Sequence, residues 1–169
     1  MKLVGVVLAA VGCGRAARAP DAPVSPSLAS LAFYIGDWQC AGTQFDEAGT
    51  PTEHLDLAIE VRPALENWFR ITVLEHGTPL TSELKGYDPT TKSFHHLWTS
   101  RDGSSGSLTS TAGWQGNTLV FDEDHADAAS KTRMTFTKLD DTHYTHRAET
   151  DTGAGYRLGF EKHCTKRGG

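Results

Sequence analysis

The sequence predicts an all-β domain: a single antiparallel up-and-down β-barrel of about ten strands with a short N-terminal helix. Three observations carry this. Turn signals recur about every 8–14 residues from Asp37 onward, the spacing of an all-β sandwich or barrel. Between them apolar and polar residues alternate, as in strands that are dry on one face and wet on the other. Only one stretch, just before Asp37, has helical periodicity. A meander of this many strands leaves costly edges unless the sheet closes on itself.

The chain divides into three segments. In residues 1–12, Lys2 precedes an apolar run and small residues, the layout of an export signal. Ala10-Val11-Gly12-Cys13 resembles a bacterial lipobox, whose Cys is lipidated and becomes the first mature residue. The position three before Cys13 is Ala10, where that pattern has Leu. The resemblance implies an exported lipoprotein held to a membrane through Cys13, periplasmic or outer-membrane in a Gram-negative host. Residues 13–26 hold Pro20, Pro23 and Pro26 among alanines without apolar periodicity, which reads as a tether. Residues 27–169 form the barrel domain, and a chain of 169 residues suits one such core. The net charge of -5, with no basic stripe, disfavours a nucleic-acid partner.

Taken in order, Ser25-Pro26 offers a helix start. Leu28, Leu31, Ala32 and Ile35 then share one helical face, which is expected to cover an end of the barrel. Gly36 ends the helix, and Trp38 anchors the first strand with a large apolar surface. Turns are expected at Glu47-Ala48-Gly49, Arg62-Pro63, His76-Gly77-Thr78-Pro79, Asp88-Pro89, Asp102-Gly103, Gln115-Gly116-Asn117, Asp140-Asp141 and across 124–128 and 151–155, with the acidic run 122–127 read as a solvated hairpin tip. Alternation predicts inward faces at Leu55, Leu57, Ile59 and Val61; at Phe69, Ile71 and Val73; at Leu119 and Phe121; and at Met134 and Phe136. Leu84 and Leu108 are assigned to the same interior, as are Tyr156, Leu158 and Phe160 on the last strand.

Three cysteines are an odd number for an oxidising compartment. Lipidation of Cys13 leaves Cys40 and Cys164. In an up-and-down barrel the first and last strands are neighbours, so a Cys40–Cys164 disulfide would tie two apolar faces at the seam; the alternative is two separate buried thiols.

The helical turn, Gly36-Asp37-Trp38 and the run of short strands resemble the calycin superfamily of lipocalins and fatty-acid-binding proteins. The chain is more similar to a family of small exported bacterial proteins of uncharacterised function. That family opens on a Gly-x-Trp-x-x-x-Gly strand and carries a Gly-Tyr-Asp turn before an aromatic strand. Here these are Gly36 to Gly42 and Gly86-Tyr87-Asp88 followed by Phe94-His95-His96-Leu97-Trp98. The resemblance implies a barrel with an internal cavity, and implies no reaction.

Catalytic signatures are missing. Gly103-Ser104-Ser105-Gly106 lacks the spacing of a nucleophile elbow, the acidic run at Asp122 lacks a calcium loop's glycine, and no nucleotide motif is present. Activity as an enzyme is uncertain and less expected than binding. No catalytic residue and no metal ligand is assigned: His95-His96 and His143/His146 sit at odd spacing, on opposite strand faces. The expected function is non-enzymatic binding of a small, largely apolar ligand. Its candidate contacts are Trp38, Tyr87, Phe94, His96, Trp98, His143 and Arg147, the last because it shares a face with His143 and Thr145. One alternative is a haem-binding or haem-reactive barrel using an interior His; apart from that haem, no cofactor is expected. The other is a structural or interaction protein of the envelope whose barrel is filled by side chains.

Overall fold

The computed structural model describes residues 27–124 and 131–168. The signal at 1–12, Cys13, the tether at 13–26, the Ser25-Pro26 helix start and most of the acidic tip lie outside the described residues. A 3₁₀ helix, Leu28–Tyr34, leads into eleven strands. These are β1 (Gly36–Phe45), β2 (Pro51–Leu65), β3 (Trp68–Glu75), β4 (Thr78–Asp88), β5 (Ser93–Ser100) and β6 (Ser105–Ser110). The second run is β7 (Trp114–Gln115), β8 (Thr118–Glu123), β9 (Lys131–Lys138), β10 (His143–Asp151) and β11 (Tyr156–Lys166). Every pairing is antiparallel between chain neighbours, except that β1 pairs with β11 and β6 with β8. The two exceptions close a ten-stranded barrel and leave the two-residue β7 as a flap on β8.

The alternation sets the core. Trp38, Cys40, Leu57, Ile59, Val61, Phe69, Ile71 and Val73 are all buried on the inner face. At the β1–β11 seam Cys40 lies opposite Cys164, and the two sulfurs are bonded at 2.01 Å. The β3–β4 hairpin turns through His76 and Gly77, both at positive φ, as a two-residue turn between twisted strands requires.

Several sequence expectations shift. The helix winds with a period of three, so Leu28, Leu31 and Tyr34 are buried, while Ala32 is exposed. It does cover one end of the barrel: Lys166 Nζ donates to the Phe33 carbonyl at 2.8 Å and Trp114 Nε1 to Ser30 Oγ at 3.0 Å. Arg62-Pro63 is not a turn, for β2 continues to Leu65 with a register shift at Pro63, where a proline is tolerated. Leu84 faces out, opposite Leu97, and is 36% exposed. A second register shift, between Ala148 and Glu149, keeps Phe160 inside but sets Leu158 opposite the outward Glu149. Tyr156 then lies outside, under the Arg133 guanidinium at 4.1 Å.

Candidate functional site

The barrel has two interiors. Under the helix, Trp38 is fully buried, donates its indole N–H to the Tyr34 carbonyl at 2.8 Å, and meets Tyr144 edge-on at 4.8 Å. At the opposite end lies a cavity of about 330 Å³. Its walls are Leu55, Leu57, Val73, Leu80, Met134 and Phe160, with Trp98 at one side and Gln44, Ser100 and Ser104 toward the mouth. Gly106 seats the Trp98 indole, since a Cβ there would lie 2.8 Å from its Nε1.

Between the two interiors runs a belt of charged and polar side chains: Glu83, Lys85, His96, His146 and Lys162. Each is placed by strand parity. On β4, Glu83 and Lys85 follow Thr81 on the inner face. On β10, His146 lies between buried Tyr144 and Ala148; on β11, Lys162 lies between Phe160 and Cys164. His146 and Lys162 are direct cross-strand partners. On the other side of Lys162 stands Gly42, where a Cβ would lie 2.8 Å from the Lys162 Cβ and 2.2 Å from the Glu161 carbonyl oxygen. Only glycine there lets the lysine enter without moving the strand.

His96 Nε2 donates to Glu83 Oε2 at 2.8 Å, the imidazole buried and the carboxylate 12% exposed at the cavity wall. That bond fixes the tautomer and leaves His96 Nδ1 buried without a partner among the described residues. Burial alone would raise Glu83; the His96 hydrogen bond and the Lys162 and Lys85 charges outweigh it and hold the carboxyl at about 2. Burial, helped by the Lys85 charge, pushes His96 below its ordinary value against the pull of Glu83. His146 is driven well down by burial and then by Lys162, so it is neutral, stacked on Phe136 at 3.9 Å, with Nε2 partnerless. Burial carries Lys85 down to about 7, Glu83 opposing; its Nζ sits 3.2 Å from the Phe136 ring centroid. Lys162 is lowered by burial against Glu83, and no described residue gives its Nζ a hydrogen bond or ion pair. One carboxylate thus faces two amines, and only Lys162 of the two lines the cavity.

Of the candidate contacts, His96 and Trp98 line the cavity. Trp38, Tyr87 and Phe94 pack in the apolar core instead, Tyr87 edge-on to Phe94 at 5.0 Å. His143 and Arg147 stand away from the cavity. They do share a face, but it is the outer one: His143 is bonded to Asp140 at 3.0 Å, and Arg147 to Glu149 at 3.1 Å. The cause is the pairing of Tyr144 with Cys164, which fixes the even positions of β10 inward. The reading missed Glu83, Lys85, His146 and Lys162. A signal existed for Lys162, which holds the same parity as Phe160 and Cys164. Among the described residues no group of three His, Cys, Asp or Glu could hold a metal ion.

No family model matches the chain, and no curated protein matches its sequence. Its fold is similar to the crystal structure of Rv2717c from M. tuberculosis, at 12% identity and TM-score 0.63, covering 86% of this chain and 100% of that one. Fainter likenesses are to the S-type phycobiliprotein lyase CPES from Guillardia theta (TM-score 0.47, 10% identity, 81% and 90% covered) and to the barrel EF1p2_mFAP2b bound to DFHBI (TM-score 0.37, 14% identity, 82% and 97% covered). At these values the first likeness supports the barrel fold, and none bears on what this chain binds.

Proposed function

We propose that the protein is a non-enzymatic binder of one small, largely apolar molecule with an anionic or hydrogen-bond-accepting end. The observation that carries it is Lys162, a buried side chain that lines the apolar cavity, whose Nζ makes no hydrogen bond or ion pair among the described residues and lies 5.2 Å from the Phe160 ring centroid. A buried amine is costly to charge, Glu83 is shared between Lys85 and Lys162, and a ligand anion beside Lys162 would balance the second amine of the belt. The volume is at the lower end of the range for small-molecule sites, which favours a short chain or a single ring system. A fluorescent medium-chain fatty acid tests the reading. Binding should weaken about 10- to 100-fold on Lys162→Met, the scale of a lost charged hydrogen bond. Binding equal to that of the parent, with the fold intact by circular dichroism, removes Lys162 from the site. The second reading, haem, rests on the partnerless Nε2 of His146. A Soret band on titration with haem, lost in His146→Ala, would favour it instead.

We also infer export with a lipid on Cys13. The support is the lipobox-like sequence together with the Cys40–Cys164 bridge, which suits an oxidising compartment and leaves Cys13 as the unpaired thiol. The intact mass of membrane-extracted protein, with and without Cys13→Ser, tests this; an unmodified chain retaining Met1 refutes it.

A further inference from the structure

We propose that Lys162 is also a nucleophile, and that the cavity captures small apolar aldehydes or ketones as an imine on its Nζ. The inference rests on the cavity being a ligand site, and adds covalent chemistry to it. Three features of the geometry point to it. Lys162 is buried, lines the cavity, and has no ion-pair or hydrogen-bond partner among the described residues to hold its lone pair or its proton. His146 stands directly across the strand pair, with a neutral imidazole whose Nε2 is buried and unpartnered. Directly opposing side chains on paired strands have Cβ atoms about 4.5–5.5 Å apart, within reach of a lysine's tip. Finally, Gly42 lets its strand come close to Lys162, whose Cα and Cβ a side chain there would meet at 2.7 and 2.8 Å.

The chemistry balances without an outside oxidant or reductant. The neutral amine attacks the carbonyl carbon, a C–N bond forms, and the carbonyl π pair moves to oxygen. His146 Nε2 takes a proton from the new ammonium and returns it to that oxygen, giving a carbinolamine. Loss of water leaves the imine, and when it is protonated Glu83 lies near as counter-charge. Desolvated lysines beside other cations are the ones proteins use this way, since burial disfavours the charged form of the amine. Lys85 is buried too, but it borders only a gap of about 10 Å³ under the helix, which admits no ligand.

The test uses the whole chain at neutral pH with octanal and sodium cyanoborohydride, read by intact mass and peptide mapping. The expected result is one adduct per chain, of the aldehyde's mass less one oxygen, mapped to Lys162. Surface lysines should lag, since they have no apolar cavity to concentrate the aldehyde beside them. Octan-1-ol, which occupies the cavity but cannot condense, should slow the labelling, and Lys162→Arg should abolish it. In parallel, octan-1-ol is tested for displacement of the fluorescent fatty acid. Displacement with no adduct at Lys162 overturns the imine and leaves the binding reading standing. No displacement and no adduct overturns both. Adducts spread over surface lysines, or placed on Lys85, also overturn the proposal.

Discussion

The two ends of the barrel are built from the same alternating strands and serve opposite ends of the energy scale. Beneath the helix, the rings of Tyr34, Trp38, Phe136 and Tyr144 pack edge-on or tilted at centroid distances of 4.8–6.3 Å and leave a gap of only about 10 Å³. At the other end, similar apolar side chains stand back from one another around about 330 Å³. Between them the belt gathers two amines, two imidazoles and one carboxylate, none of which a stability-driven core would choose. The comparison teaches that stability is concentrated in the closed end. The open end and the belt tolerate poorer packing and buried charge, as a binding site does.

Four measurements break or sharpen that contrast. The largest effect is expected for Trp38→Ala, which removes a fully buried indole and its hydrogen bond from the closed end. It should cost about 3–5 kcal/mol in chemical unfolding. Second is the double change Cys40→Ala, Cys164→Ala. The bridge spans a sequence separation of 124, and the chain-entropy account gives a loss of about 2–5 kcal/mol, or a lower Tm under reduction. A loss as small as that of a surface substitution would show that the seam holds without it.

The third concerns the belt. Lys85, Lys162, His96 and His146 all have folded values below their unfolded ones, so above those folded values the unfolded chain binds more protons. Stability should therefore rise with pH from mildly acid conditions and go on rising between about 7 and 10, where Lys85 is largely neutral in the folded chain and still largely charged in the unfolded one. Most proteins instead peak between about pH 5 and 8. Lys85→Met should flatten the alkaline part of the slope. Glu83 is depressed to about 2, so its contribution is present above its unfolded value and is lost as pH falls from about 4.5 toward 2. A stability that falls between pH 7 and 10 would sink this account. The smallest effect belongs to Met134→Ala at the cavity wall, where contacts are already missing on one side. It should cost about 1 kcal/mol and admit bulkier ligands, seen as a changed preference in displacement assays.

Much of the fold was legible from the residues alone. Period-two apolar positions in β2, β3, β8 and β9, the turn residues between strands, and the parity of Cys40 and Cys164 specify strands, order and seam, because they are local or repeat at the pleat's own period. The fold class follows from them, since this many strands must close. The facing of β4 and β10 was not legible. Both carry mixed polar and apolar residues on each side, so periodicity gives two faces without saying which is inside. Leu84 was read inward for being apolar and Arg147 for sharing a face with His143 and Thr145, and both point out. Only the assembled barrel decides this: pairing Tyr144 with Cys164 turns His146 and Lys162 inward, and pairing Leu84 with Leu97 outside turns Glu83 and Lys85 inward. The register shift at Ala148 and Glu149 is likewise invisible in the alternation it interrupts. The sequence by itself determined a closed β-barrel with a capped apolar end. The charged belt and its cavity exist only through pairings between distant strands, because a strand's side chains acquire an inside when the sheet closes around them.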